Sequence, residues 1–165
     1  MLLTPLLVAS LLSPQFALMP AAAGTSPSGQ GTLTAVVQTL QSGSVPPGAQ
    51  RVPMLLLTLS ASCGEEIPVT GLTLRHRGMG ETSDLEAVYV MRGGQRLTRG
   101  RTFSSRDGRL RIDLRDFSVP ACGTSQLTVL ADFASSAAPA GEHRMVIERA
   151  RRTSMRGGER LSFGS

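Results

Sequence analysis

The segment Arg101-Thr-Phe-Ser-Ser-Arg-Asp-Gly-Arg-Leu-Arg-Ile-Asp-Leu114 decides the fold class. From Arg109 onward charged and apolar residues alternate strictly, which puts Leu110, Ile112 and Leu114 on one side of an extended chain and Arg109, Arg111 and Asp113 on the other. A period of two belongs to a β-strand, and here to a sheet with one buried and one wet face. Asp107-Gly108 is a tight-turn signal, so a hairpin is predicted between residues 101–105 and 109–114.

The same rhythm recurs outward from this segment. Strands are predicted over 32–40, 52–62, 69–76, 85–91, 95–98, 126–133 and 144–148, with Gly93-Gly94 turning 85–91 into 95–98. The 52–62 stretch is continuously apolar through Leu55-Leu56-Leu57 and should be central, with Pro53 at its beginning, where a missing donor is tolerable. In 126–133, Leu127, Val129, Ala131 and Phe133 are expected to point inward. No window holds apolar residues at helical spacing, so little helix is expected. The fold class is therefore all-β, an antiparallel β-sandwich of about seven to nine strands. No internal repeat points to a solenoid.

The ends of the chain read differently. Residues 2–12 are an apolar run of signal-peptide length, followed by prolines and Ala21-Ala22-Ala23, so residues 1–23 are expected to be a secretory leader cleaved after Ala23. No Lys or Arg precedes the run, which leaves the α-amino group as the only positive charge there. Residues 24–31, Gly-Thr-Ser-Pro-Ser-Gly-Gln-Gly, bury nothing and are expected to be a flexible spacer. The sandwich domain is placed at 32–148, leaving 149–165 as an arginine-rich tail or last strand. Without the leader about 140 residues remain, enough for one domain and no second, and no transmembrane segment is expected in the mature chain.

Export gives the two cysteines a meaning. Cys63 and Cys122 fall at predicted strand ends, and outside the cytosol they are expected to form a disulfide. With no CxxC and no paired His beside them, they lack the spacing of a zinc site. The chain is therefore placed in the secreted, cell-surface or periplasmic compartment.

All 17 basic residues are Arg, and the net charge is +5. A GC-rich genome explains the missing lysines as readily as function does. Even so, the guanidinium fork binds carboxylate, sulfate and phosphate with paired hydrogen bonds. Eight arginines fall between Arg92 and Arg115, and Arg96, Arg101, Arg109 and Arg111 are the candidate anion-binding face. A nucleic-acid platform interleaves aromatic stackers, and only Phe103 is near, so nucleic acid is not the expected partner. An envelope polyanion or another surface protein is.

The segments Leu72-Thr-Leu-Arg-His-Arg-Gly-Met-Gly80, Ser83-Asp-Leu-Glu-Ala-Val-Tyr89, Thr102-Phe-Ser104, Phe117-Ser-Val-Pro-Ala121 and Leu127-Thr-Val-Leu-Ala-Asp-Phe133 resemble the core of immunoglobulin-like or fibronectin-like β-sandwich modules of bacterial secreted and surface-layer proteins. The resemblance implies that fold, with a Ser-Asp-Leu turn before a Val-Tyr strand and a Val-Pro-Ala turn before the penultimate strand. It implies no catalytic residues. Such modules usually sit in long multidomain chains, whereas this one is expected to stand nearly alone, which weighs against a plain tether or spacer role.

Residues able to carry chemistry are few. His76 and His143 are the only histidines, and no Gly-x-Ser-x-Gly occurs. His76 is expected at a sheet edge or loop entry. Glu65-Glu66, Glu81 with Asp84, and Asp113 with Asp116 are the local carboxylate groups. Ca²⁺ is the one ion such groups leave open, but none has EF-hand spacing, and solvated loops are the expectation, with Asp84 accepting backbone hydrogen bonds at its turn. No catalytic residue, metal or cofactor is assigned. The chain thus reads as a non-catalytic binding or structural module of the bacterial envelope. The alternatives are an exported hydrolase that pairs a His with an acidic loop residue, and a fibre or pilus-like subunit in which residues 32–40 complete a neighbour's sheet.

Overall fold

Val52–Ala61 (β3) shows how the sequence builds the structure, a computed structural model describing residues 31–41, 43–138 and 141–152. Leu55, Leu57 and Leu59 are all fully buried, as a period of two requires. Met54 is also fully buried, because the pairing of β3 with its neighbour shifts register between Pro53 and Leu55. A bulge at the strand's start accommodates the proline that cannot donate. The expected leader, all but the last residue of the spacer, and the tail past residue 152 lie outside the described residues.

The protein is all-β, built from two antiparallel sheets. The first has the order β1 (Leu33–Thr39), β3, β9 (Thr124–Phe133), β5 (Leu85–Arg92), β6 (Gln95–Arg96). The second has the order β2 (Gly43–Ser44), β10 (Glu142–Arg152), β4 (Ile67–Arg77), β7 (Arg109–Asp113), with β8 (Ser118–Val119) also paired to β4. Thr82–Asp84 forms a single 3-10 turn, and no described residue is α-helical. No described helix is long and apolar enough to cross a membrane.

One core joins the sheets. Leu127, Val129, Ala131 and Phe133 of β9 are all fully buried, and they share a cluster with Leu72 and Leu74 of β4, Leu110 and Ile112 of β7 and Met145 of β10. Leu110 and Ile112 are buried while Arg109, Arg111 and Asp113 are exposed, so the alternation that opened the sequence reading is the observed one. β3 lies inside its sheet, and the Gly93-Gly94 turn pairs Arg92 with Gln95. β1 is paired along its whole length with β3 of its own sheet.

Several expectations need correction. The predicted hairpin of 101–105 with 109–114 does not form. The Arg101 backbone is taken by Val88 of β5, donating at 2.9 Å and accepting at 2.7 Å, and β7 pairs instead with β4. Only the turn itself survives, with Gly108 N donating to Ser104 O and Ser104 N to Arg109 O. The strand expected over 144–148 runs as β10 from Glu142 to Arg152, so part of the 149–165 segment is strand. The two-residue strands β2 and β8 are too short to carry a pattern and were not legible.

Cys63 follows β3 and Cys122 precedes β9, the adjacent antiparallel strand. Their sulfurs are 1.92 Å apart and their Cα atoms 4.2 Å, a disulfide-distance pair. Hydrogen bonds from Cys122 N to Ser62 O and from Ala61 N to Gly123 O hold the two strand ends together around it.

Candidate functional site: an arginine face and a buried histidine pair

The outer face of the second sheet gathers arginines from three strands. In antiparallel pairing, residues opposite one another share a face. Arg111 of β7 lies opposite Thr73 of β4, which lies opposite Arg149 of β10, and Arg109 lies opposite Arg75 in the next row. Arg77 and Arg144 pair beyond these at the strand ends. The pairing of β10 shifts register between Ile147 and Arg149, and this bulge turns both Glu148 and Arg149 toward solvent on the same face. Without it, one of the two would enter the core.

The charges on this face are unequally satisfied. Glu148 accepts from Arg109 Nε at 2.8 Å and from Arg75 Nη1 at 3.2 Å. The hydrogen bond from Arg109, and then that from Arg75, hold its carboxyl below the ordinary glutamate range, and the same contact raises Arg109. Asp107 is also lowered, first by the Ser104 hydroxyl and then by the Arg109 backbone. Arg111 and Arg149 make no ion pair among the described residues, and they border one shallow depression with Thr73 and Ser104, whose far side is the paired Arg109, Asp107 and Glu148. Across three strands their Cα atoms are about 10 Å apart, close enough for two guanidinium groups to converge over the Thr73 hydroxyl. Such an arrangement has the donors for a phosphate, sulfate or carboxylate.

Of the expected face, Arg109 and Arg111 are therefore here, beside Arg101, whose Nη2 is 3.8 Å from Asp113. Arg96 is not. It belongs to the first sheet, where its guanidinium lies 3.8 Å from the Tyr89 ring centroid and its Nε donates to Thr98 O. Sequence reading missed Arg75, Arg144 and Arg149, because only the β4–β7 and β4–β10 pairings bring them to β7.

At one end of the molecule the only two histidines meet. His76 Nε2 is 3.1 Å from His143 Nδ1, and His143 Nε2 is 3.5 Å from Asp84 Oδ2. His143 is 1% exposed, set edge-on to Phe133 with ring centroids 5.0 Å apart. Burial lowers both imidazoles from their ordinary values, and for His76 the neighbouring His143 lowers it further. The expectations for these residues change accordingly. His76 is on the interior strand β4, not at a sheet edge, and the buried Asp84 faces His143 rather than capping its turn. Asp84 Oδ2 has no hydrogen-bond partner.

Two glycines shape this pocket. A Cβ on Gly80 would overlap the His143 ring, and one on Gly141 would lie 2.9 Å from His143 Nε2. Gly80→Ala is expected to cost about 1–3 kcal/mol through overpacking, read as a lower urea midpoint with an unchanged slope. Among the described residues no group of three or more His, Cys, Asp or Glu is arranged to hold a metal ion. No protein-family model, curated protein or solved structure matches the chain.

Proposed function

We propose that this chain is a non-catalytic, exported module with an immunoglobulin-like sandwich fold that binds an anionic polymer of the bacterial envelope through the outer face of its second sheet. The observation that carries the reading is Arg111 and Arg149 flanking Thr73 with no ion pair among the described residues, on a face where the neighbouring Arg75 and Arg109 share Glu148 and Arg109 also approaches Asp107. Unpaired guanidinium groups on a rigid sheet bind anions with little ordering cost, since the strands already fix their spacing. The two antiparallel sheets, the disulfide-distance cysteines and the apolar N-terminal run support the compartment and the fold family.

The test is binding of a polyphosphate or sulfated polysaccharide by the folded protein at low and at raised salt. Affinity should fall as salt rises, and Arg111→Gln with Arg149→Gln should weaken it by roughly tenfold per arginine. Neutralising Arg109 with Arg111 should also weaken it, but less, because Arg109 is already engaged by Glu148. Salt-independent binding, or binding untouched by the double substitution, would remove the reading.

A second reading, an exported hydrolase, is favoured by the approach of Asp84 to His143. Against it, neither imidazole has a Ser, Thr or Cys hydrogen-bond partner among the described residues. Hydrolysis of simple esters that is abolished by His76→Gln would establish it over the binding reading.

A further inference from the structure

We propose that His76, His143 and Asp84 form an acid-released latch, which holds residues 78–84 and 141–143 closed over one end of the molecule and lets them open as the pH falls.

The latch is built from separate elements. His76 comes from β4, His143 from β10 and Asp84 from the 3-10 turn before β5. The two loops meet at their backbones as well, with Gly80 N donating to Glu142 O at 2.9 Å and Ala134 N to Asp84 O at 2.9 Å. Gly80 and Gly141 press directly on His143, so the ring is the plug between them. β2 is tied to the same place through Gly43, which pairs with His143. Against the plug lies Phe133, a core residue.

At neutral pH the chain of contacts is self-consistent. Asp84 beside Nε2 favours the tautomer of His143 with its hydrogen there, which leaves Nδ1 to accept from His76 Nε2–H. Burial disfavours a first proton on the pair, and the Asp84 carboxylate that faces it offsets only part of that cost. The second has no such compensation. It would set two imidazolium rings 3.1 Å apart at their nitrogens with the nearer ring almost fully buried, and repulsion and desolvation then act together.

Among the described residues, no other charged side chain intervenes from the elements packed around the pair. β9 contributes Phe133, and the segment after β6 contributes Phe103, whose ring centroid is 5.8 Å from that of His76. The turn beneath His76 offers the Gly108 carbonyl, while its Asp107 is exposed and turned to Ser104 and Arg109. Glu81 is held by Ser83 at the surface, and Glu142, Arg77 and Arg144 are exposed.

The sign follows from linkage. Both imidazoles are lowered from 6.5 in the closed form, so opening takes up protons below about pH 6.5, and the closed form weakens as the pH falls through that window. Each proton taken up makes the opening constant about tenfold larger per pH unit. The experiment is hydrogen exchange on the intact protein between pH 7.5 and 5, with rates corrected for intrinsic exchange. Amides of residues 78–84 and 141–143 should open more steeply than those of β3 and β9. Asp84→Asn should strengthen the acid response, because that carboxylate favours the charged imidazoles, and His76→Gln should flatten it. His143→Gln is the less useful variant, since losing the plug can prevent folding, so an NMR titration of both imidazoles in the unsubstituted protein accompanies the exchange data. Both rings titrating near 6.5, or loop opening that stays flat with pH, would overturn the latch.

Discussion

Replacing both Cys63 and Cys122 with Ser should lower the stability of the folded chain by about 4 kcal/mol, the largest loss expected from removing any single link. The two residues are 59 positions apart, and cross-linking a loop of that length takes most of its effect from the unfolded ensemble. The loop contains β4, β7 and β8 of the second sheet and β5 and β6 of the first, so the bond spans strands of both sheets. The cost is comparable with the whole net stability of a small domain. Equilibrium urea unfolding of the oxidised protein and the double variant measures it. A loss below about 1 kcal/mol would mean that the β3–β9 pairing alone holds these strand ends.

Phe133→Ala should cost about 3–5 kcal/mol. Phe133 is fully buried at the end of β9, the middle strand of the first sheet, where its ring meets His143 of the second. Truncation therefore opens a cavity between the sheets and also leaves His143 without its edge-on neighbour. Phe133→Leu should cost markedly less, because it keeps most of the volume. The ordering of the two variants in thermal unfolding checks the assignment. If Ala and Leu were equally costly, the aromatic contact would outweigh the cavity.

These residues also show what was readable in the chain. Leu127, Val129, Ala131 and Phe133, like Leu110, Ile112 and Leu114, announce their burial through a period of two, a purely local property. The all-β class follows from such local patterns, as does the Gly93-Gly94 turn. Pairing partners do not, since they depend on which apolar faces meet across the core. Residues 101–105 look as ready to pair with 109–114 as β4 does, and nothing in the sequence announces that Val88 captures the Arg101 backbone. The arginine face inherits that difficulty. Sequence proximity grouped Arg96 with Arg109 and Arg111, whereas register places Arg96 on the other sheet and brings in Arg75 and Arg149.

The histidine pair was legible only as two isolated residues, 67 positions apart. Gly78-Met79-Gly80 carries the one local hint, because Gly80 is where the chain passes against the His143 ring. Its lack of a side chain thus serves a residue distant in sequence. Asp84 misleads, since a Ser-Asp pair at a turn ordinarily caps its own backbone.

Whether the outer face of the second sheet takes an anionic polymer is tested most directly by an NMR titration of the folded protein with a short polyphosphate at low salt. Saturable shifts are expected at Thr73, Arg75, Arg109, Arg111 and Arg149, reversed by added salt, with Arg96 and Tyr89 unmoved. Shifts centred on Arg96, or none that saturate, would contradict binding at this face.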